Sequence, residues 1–474
     1  CAVALRFAPE EFLGEDGVTA RGEARDLVEM LAELPDLWDV NVSGWEFDSL
    51  PSRFGSEGSQ RPFVEWVKRC TTKPVVGVGR FTSPDTMVQQ IRSGVLDLIG
   101  AARPSIADPF LPRKIEQGRE DEIRECIGCN LCVSGDLTHT PIRCTQNPTM
   151  GEEWRKGWHP ERIAPRRAAK RVLVVGAGPA GLEAARALGQ RGHEIHLAEA
   201  GTELGGRVSR EARLPGLAEW GRVRDWRVGR LRTMHDVTIY PANLVTAEDV
   251  LEFGASHVVL ATGANWRRDG VGRSNGRAIT GSDSAHVFTA DDLMQGVCPQ
   301  GPVVLFDDDG YYLGSVLAEW LRRERDEVIY VTPQDVVAAW SAKTLEFVHI
   351  QKRLRELEVR LITAHNLSRI ETGTVQLRCV YTGRAHNVEA ASVVLVTSRL
   401  PNDELYLRLI ERHAEWADAG IEQLDCIGDC HAPGLIAHAV YAGHRYAREF
   451  DEPAAGDVPF RRALPVCDAD GERS

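Results

Sequence analysis

Four cysteines crowd into one short stretch, Cys126-x2-Cys129-x2-Cys132-x11-Cys144, and their spacing is the most specific chemical signal in the chain. Thiolates two residues apart wrap one corner of a cube of iron and sulfide, and a more remote thiolate closes it. Four thiolates also suit structural zinc, but zinc sites usually pair two separate C-x2-C knuckles, whereas here three cysteines run together. A [4Fe–4S] cluster on Cys126, Cys129, Cys132 and Cys144 is the expected group, with zinc as the alternative. Cys70, Cys298 and Cys379 read as small buried apolar residues. Cys426 and Cys430 flank an Ile427-Gly428-Asp429 turn and read as packing residues, with a redox pair as the other option.

A second signal follows the apolar run Val172–Val175. Gly176, Gly178 and Gly181 form G-x-G-x-x-G at the start of an alanine-rich helix, so backbone amides and the helix N-terminus can approach a pyrophosphate. Glu199 ends the next strand, where an acid accepts ribose hydroxyls. Gly205-Gly206-Arg207, Ala261-Thr262-Gly263 and the turn ending in Asp429 are further turns of the two-dinucleotide flavoprotein kind, with Asp429 expected at the ribityl or phosphate region. The glycines and Glu199 read only the ADP half, so ADP and FAD both stay open. A second strand–turn–helix begins at Val303, but Asp307, Asp308 and Asp309 stand where glycines should cradle phosphate. Three carboxylates there repel phosphate and fill its space, so this turn is expected not to bind NAD(P)H.

These residues need several elements to position them. A chain of 474 residues exceeds one ordinary core. Short apolar runs at 2–7, 37–43, 74–79 and 96–102 alternate with helical stretches such as 23–34 and 84–93, which predicts parallel βα units. Four such units make half of an eightfold barrel over 1–118, and the opening directly inside a strand, on Cys rather than Met, suggests a fragment or incomplete reading frame. The cysteine segment and a charged linker occupy 119–166. The expected remainder is α/β: a nucleotide-binding Rossmann-like unit over 167–284 and 387–474, with a degenerate second unit inserted at 285–386. The net charge of −13 argues against a nucleic-acid surface, no apolar run is long enough to span a membrane, and a cytoplasmic location is the default.

The order of these motifs, with "CIGCN", "RCTQNP", "GEEWRKGWHPE", "VGAGPAG" and "ADPFLP", resembles the trimethylamine dehydrogenase and 2,4-dienoyl-CoA reductase group, which includes histamine dehydrogenase. The similarity is to the dehydrogenase branch and runs along essentially the whole chain. The group has a flavin-bearing barrel, a [4Fe–4S] cluster and two nested nucleotide-type units, and roughly 200 further residues supply the first half of its barrel. The resemblance implies FMN beside Arg6 of "ALRF", Gly79 and Arg80 of "VGVGR", and Ala102 and Arg103 of "AARP". It implies a substrate pocket at Trp45, whose face holds an alkylammonium, and at Asp48, a member of the catalytic constellation. Where trimethylamine dehydrogenase has an aromatic residue after the third cysteine, this chain has Gly135-Asp136, which points to an amine with a second polar or cationic group unless Asp136 is simply a solvated acid.

The expected function is therefore oxidation of a small, N-methylated or other amine at FMN, with electrons leaving through the cluster to an electron-transferring flavoprotein. ADP or FAD fills the first nucleotide site, and by resemblance the protein is a homo-oligomer. An NAD(P)H-dependent enoate or dienoyl-CoA reductase is the rival, and an electron-relay subunit of a split enzyme a third option. Trp226 reads as a core residue, with an electron exit as the alternative, and His139 is assigned no role.

Overall fold

The structure is a computed structural model that describes residues 1–324 and 327–451. The end of the first nucleotide-binding unit, 452–474, lies outside them. The chain opens with β1 (Ala4–Phe7), α1 (Glu23–Leu31), β2 (Leu37–Val40), the single turn α2 (Trp45–Asp48), β3 (Val75–Gly77), α3 (Pro84–Arg92), β4 (Leu98–Ile99) and α4 (Ala102–Ala107). The strands are parallel and in sequence order, as successive βα units of a barrel wall require. Trp38, Val40, Val75, Phe81 and Leu96 pack the layer between strands and helices. Strands are shorter than their apolar runs because function-bearing turns start early. After β3, for example, Gly79 and Arg80 take φ of 159° and 55°, and the latter is left-handed backbone no strand accommodates.

Residues 119–166 are mostly irregular around α5 (Leu131–Leu137). Buried ionic contacts hold them instead. Lys114 Nζ lies 2.6 Å from Asp108 Oδ2 with both side chains enclosed, and the same carboxylate accepts from the amides of Phe110 and Arg124. That explains the "ADPFLP" segment: a buried charge with its donors is a fixed corner, and removing one partner would strand the other.

The nucleotide-binding unit begins with β5 (Arg171–Val175), α6 (Pro179–Arg191), β6 (Glu194–Ala198), α7 (Gly221–Arg232), β7 (Val237–Tyr240), β8 (His257–Leu260) and β9 (Ala264–Trp266). The inserted unit follows with β10 (Val287–Thr289), β11 (Val303–Asp307), α8 (Tyr312–Glu324), β12 (Val328–Val331), α9 (Phe347–Glu356) and β13 (Arg360–Ile362). An antiparallel sheet of β14 (His365–Glu371), β15 (Thr374–Cys379) and β16 (Ala385–Glu389) covers it. Then come β17 (Ser392–Val396), β18 (Arg399–Pro401), β19 (Gln423–Cys426) and α10 (Ile436–Glu449). The two parallel sheets run β19-β8-β5-β6-β7 and β10-β17-β11-β12-β13, and the β9–β18 pair links them. β17 therefore belongs to the inserted sheet although it lies past residue 386. Its partner, β11, is some ninety residues upstream, and a local pattern cannot reveal that pairing. Among the described residues no helix is long and apolar enough to cross a membrane.

Candidate functional site

Gly44 turns the chain with φ 78° into α2, a single turn that carries both Trp45 and Asp48. The turn is anchored by Gln60, 2% exposed, whose Nε2 donates to Asp48 Oδ1 and to the Asp48 carbonyl, both at 3.1 Å. Its Oε1 accepts from Val42 N. Trp45 is 42% exposed, with a ring available to a ligand. Beside this turn Arg80 is 5% exposed, donates from Nη2 to Gly55 O at 3.2 Å, and has no partner for Nε or Nη1 among the described residues. A buried guanidinium with two idle donors is costly unless another group accepts from it. It fits the polar edge of a flavin. Arg103 directs Nη1 to Ser49 O, Leu50 O and Asn130 Oδ1. Arg6 faces Asp39 at 3.8 Å and is largely exposed, and Ala102, at the start of α4, is exposed.

The cysteine loop lies directly against this region. Ser52 N donates to Gly128 O and Ser52 Oγ to Ile127 O, and Cys126 N donates to Thr82 Oγ1 at 2.7 Å. Gly128, at φ 62°, has no space for a side chain: a Cβ would meet Ser52 Cβ at 2.8 Å and Arg80 Cδ at 2.9 Å. Cys126, Cys129, Cys132 and Cys144 lie near enough to act on one another electrostatically. Burial pushes the Cys129 thiol up to about 12 and the Cys144 thiol up to about 11, and the neighbouring cysteines act in the same sense. Cys132 moves in the same direction for the same reasons. Such thiols ionise only against a strong positive charge. The loop already supplies donors for sulfur, Gly128 N to Cys126 Sγ at 3.3 Å and the amides of Gln146 and Asn147 to Cys144. Among the described residues no group of three or more His, Cys, Asp or Glu side chains is arranged to hold a single metal ion.

The glycine turn borders a cleft of about 910 Å³ lined by Gly176, Gly178, Glu199, Arg207, Gly263 and Asp429 among others. Gly181 permits the contact of helix and strand, since a Cβ there would lie 1.8 Å from Gly176 O. Glu199 accepts from Ala177 N and Gly201 N and so frames the turn. Gly206 packs on Gly178, and Thr262 Oγ1 donates to Asn402 O. Asp429 lines the same cleft; its Oδ2 takes Arg207 and Arg399, and its Oδ1 accepts from Gly434 N. Arg399 also lies over the Trp266 ring.

At the second turn Asp307 Oδ1 accepts from Asp309 N at 3.0 Å and Gly310 N at 2.9 Å, and Tyr330 donates its hydroxyl to Oδ2. The chain's own carboxylate thus sits on the amides a phosphate would need. Burial, helped by the charge of Asp309, pushes its carboxyl up to about 7. A raised folded value means stability is gained from the protonated form at low pH and lost as pH climbs through about 7. Asp307→Asn keeps the acceptor and removes the charge. It is expected to raise the apparent Tm at pH 8.5 by a few degrees, on the order of 2 kcal/mol, and to flatten the decline between pH 5 and 8.5 in a calorimetric series.

Other candidates sort plainly. Asp136 and His139 are exposed near the end of α5. Trp226 donates to Glu122 O and is faced by Arg124, Arg186 and Arg227 at 5.4–5.6 Å, a pinned packing position. Cys70, Cys298 and Cys379 are only partly buried, a correction to the expected core role, because each lies near the end of an element or in a connection rather than inside a sheet. Cys426 and Cys430 bring their sulfurs to 2.9 Å, with Cys430 in the core. Sequence reasoning missed Gln60 and Asn130. The latter holds φ 54° between Cys129 and Cys132 and donates to Ser49 O and Thr344 O.

Residues 1–122 match the NADH:flavin oxidoreductase / NADH oxidase family, and residues 170–443 match the pyridine nucleotide-disulphide oxidoreductases. Dimethylamine dehydrogenase of Hyphomicrobium sp. (strain x) is 40% identical over 97% of this chain and 67% of its own length. The solved histamine dehydrogenase from Rhizobium sp. 4-9 is 50% identical with a TM-score of 0.94 over 98% of this chain and 68% of its own. The 6-hydroxypseudooxynicotine amine oxidase from Pseudomonas geniculata N1 is 49% identical with a TM-score of 0.92, covering 95% of this chain and 67% of that one. The chain thus spans about two thirds of the length of these relatives. An FMN-type barrel wall joined to a pyridine-nucleotide-type unit, matched nearly end to end by amine-oxidising enzymes, makes this chain a member of the flavoprotein amine dehydrogenases of the trimethylamine dehydrogenase group.

Proposed function

We propose that the protein oxidises a small amine, N-methylated or bearing a second polar group, at FMN and passes the electrons through a [4Fe–4S] cluster to an electron-transferring flavoprotein. The observation that carries this reading is contiguity. The Trp45–Asp48 turn, the half-satisfied Arg80 and the cysteine loop are joined through Ser49, Ser52 and Gly128 by direct hydrogen bonds or contact. When bound, FMN supplies a two-electron acceptor and the cluster a one-electron carrier. Trp45 holds the ammonium by cation–π attraction, worth about 1–2 kcal/mol in a desolvated site. Asp48, oriented by Gln60, holds or moves the amine's proton. Arg80 donates to the flavin's polar edge, and Cys126, Cys129, Cys132 and Cys144 hold the cluster. Arg6, Gly79, Ala102 and Arg103 complete the flavin side in this reading.

In the first nucleotide cleft we read ADP rather than FAD. Gly176, Gly178, Gly181 and Glu199 suit the adenosine diphosphate, while Arg207 and Asp429, which border the same cleft, are already paired with each other. NAD(P)H has no counterpart site at Asp307. The test is anaerobic reduction of the purified protein, following flavin bleaching. Histamine, dimethylamine or a related amine should bleach it, NADH and NADPH should not, and denaturation should release FMN and ADP without FAD. Prompt bleaching by NADPH would instead favour the enoate or dienoyl-CoA reductase reading.

A further inference from the structure

The inserted unit has lost its phosphate turn, yet it touches the substrate side of the barrel at three places. On α9, His349 Nε2 donates to Glu46 O at 3.1 Å, inside the turn that carries Trp45 and Asp48. Its ring stacks on Phe54 at 5.2 Å and meets Phe47 edge-on at 5.7 Å. Just before α9, Thr344 O accepts from Asn130 Nδ2, which also donates to Ser49 O at the end of the same turn. Arg53, 9% exposed, reaches α8, where Nη1 donates to Ser315 Oγ at 2.9 Å and Nη2 lies 3.4 Å from Glu319. From the barrel side Gln60 donates to Asp48, Arg103 donates to Ser49 O, and Phe12 packs on Phe47. α2 is four residues long, has no side-chain cap, and its last amide hydrogen bonds return only to Gly44 and Trp45. An isolated turn of this length does not persist without tertiary support.

We propose that the inserted unit serves as a brace for the substrate turn, and that His349 is a positioning residue for Trp45 and Asp48. The residue acts through Glu46 O and the Phe47–Phe54 pair and touches no reacting atom. The kinetic part rests on the amine-oxidation reading, while the structural part does not. It gives a physical reason for a nucleotide-type unit whose phosphate turn is filled by its own aspartate: the unit contributes a rigid surface in place of a ligand. It also joins the turn to the cluster loop, because Asn130 lies between Cys129 and Leu131 and bonds to both sides.

The test compares wild type, His349→Ala and His349→Gln by hydrogen exchange and by amine kinetics on the purified protein. In His349→Ala the peptide covering 44–50 should exchange about tenfold faster, while peptides of α6 and α10 and the bound nucleotide content stay unchanged. The KM for the amine should rise about tenfold with kcat within about threefold of wild type, because the turn must be ordered again at each binding event. His349→Gln, which restores a donor, should recover part of both effects. Unchanged exchange in 44–50 in a folded His349→Ala protein overturns the brace, and faster exchange without any change in amine KM overturns the positioning role. If no amine reduces the wild type, the functional reading falls, and the exchange result alone then decides the brace.

Discussion

Cys129→Ala is expected to reduce the protein's iron and acid-labile sulfide from about four each per chain to near zero, with loss of the broad visible absorption that a cluster adds to flavin. Burial holds the thiols of Cys129, Cys132 and Cys144 far from ionisation, two of them up at about 12 and 11, and main-chain amides are already turned on the sulfurs of Cys126 and Cys144. As thiols they waste those donors; as thiolates they need several positive charges among them, which iron provides. Removing one ligand leaves three thiolates without the fourth corner. The loop is also a junction: Gly128 bonds to the barrel side, Asn130 to the inserted unit, and Gln146 to Arg227 on α7. Loss of the metal should therefore lower the apparent Tm as well, since the binding free energy of a structural metal site is folding free energy. Metal analysis distinguishes the alternatives: about one zinc and no sulfide in the wild type would refute the cluster.

How far the sequence alone reached follows from the distance between interacting residues. The thiol spacing and the glycine turn stand out because each is set within twenty residues; of the two, the structure shows the strand–turn–helix that the glycines open. The failing second turn was legible for the same reason, although its true occupant was not: that Asp307 folds back onto the amides of Asp309 and Gly310 depends on Tyr330 from the next strand. Asp429 was placed by motif, and its capture by Arg207 and Arg399 depends on partners 222 and 30 residues away. His349 lies 303 residues from Glu46, on a helix whose pattern reads as an ordinary amphipathic surface element, so no local signal marks it. Asn130 did leave a trace. It ends the quoted "CIGCN", and a polar residue between ligand cysteines that adopts left-handed backbone invites the question of what it bonds.

Asp48→Asn should lower the rate of amine-driven flavin bleaching by about a hundredfold or more, the usual contribution of a positioned proton-transfer group, without altering iron or ADP content. The substitution is close to isosteric, so Gln60 still meets an acceptor at Oδ1 and the turn keeps its anchor at the Asp48 carbonyl. What disappears is the negative charge and the ability to take a proton. Trp45→Leu is the informative contrast. It leaves the carboxylate in place and removes only the aromatic face, so the expected change is a rise in KM of about tenfold, from the loss of about 1–2 kcal/mol of cation–π attraction, with a smaller effect on kcat. If both variants instead raised KM alike and spared kcat, Asp48 would be a binding counter-ion and the proton would have another acceptor. If Asp48→Asn alone struck kcat, the division of labour on this four-residue turn would follow its geometry: the exposed ring for holding the ammonium, and the Gln60-oriented carboxylate for its proton. A turn that must present both groups at once explains why its position has to be fixed from outside, by Gln60 on the barrel side and by His349 on the other.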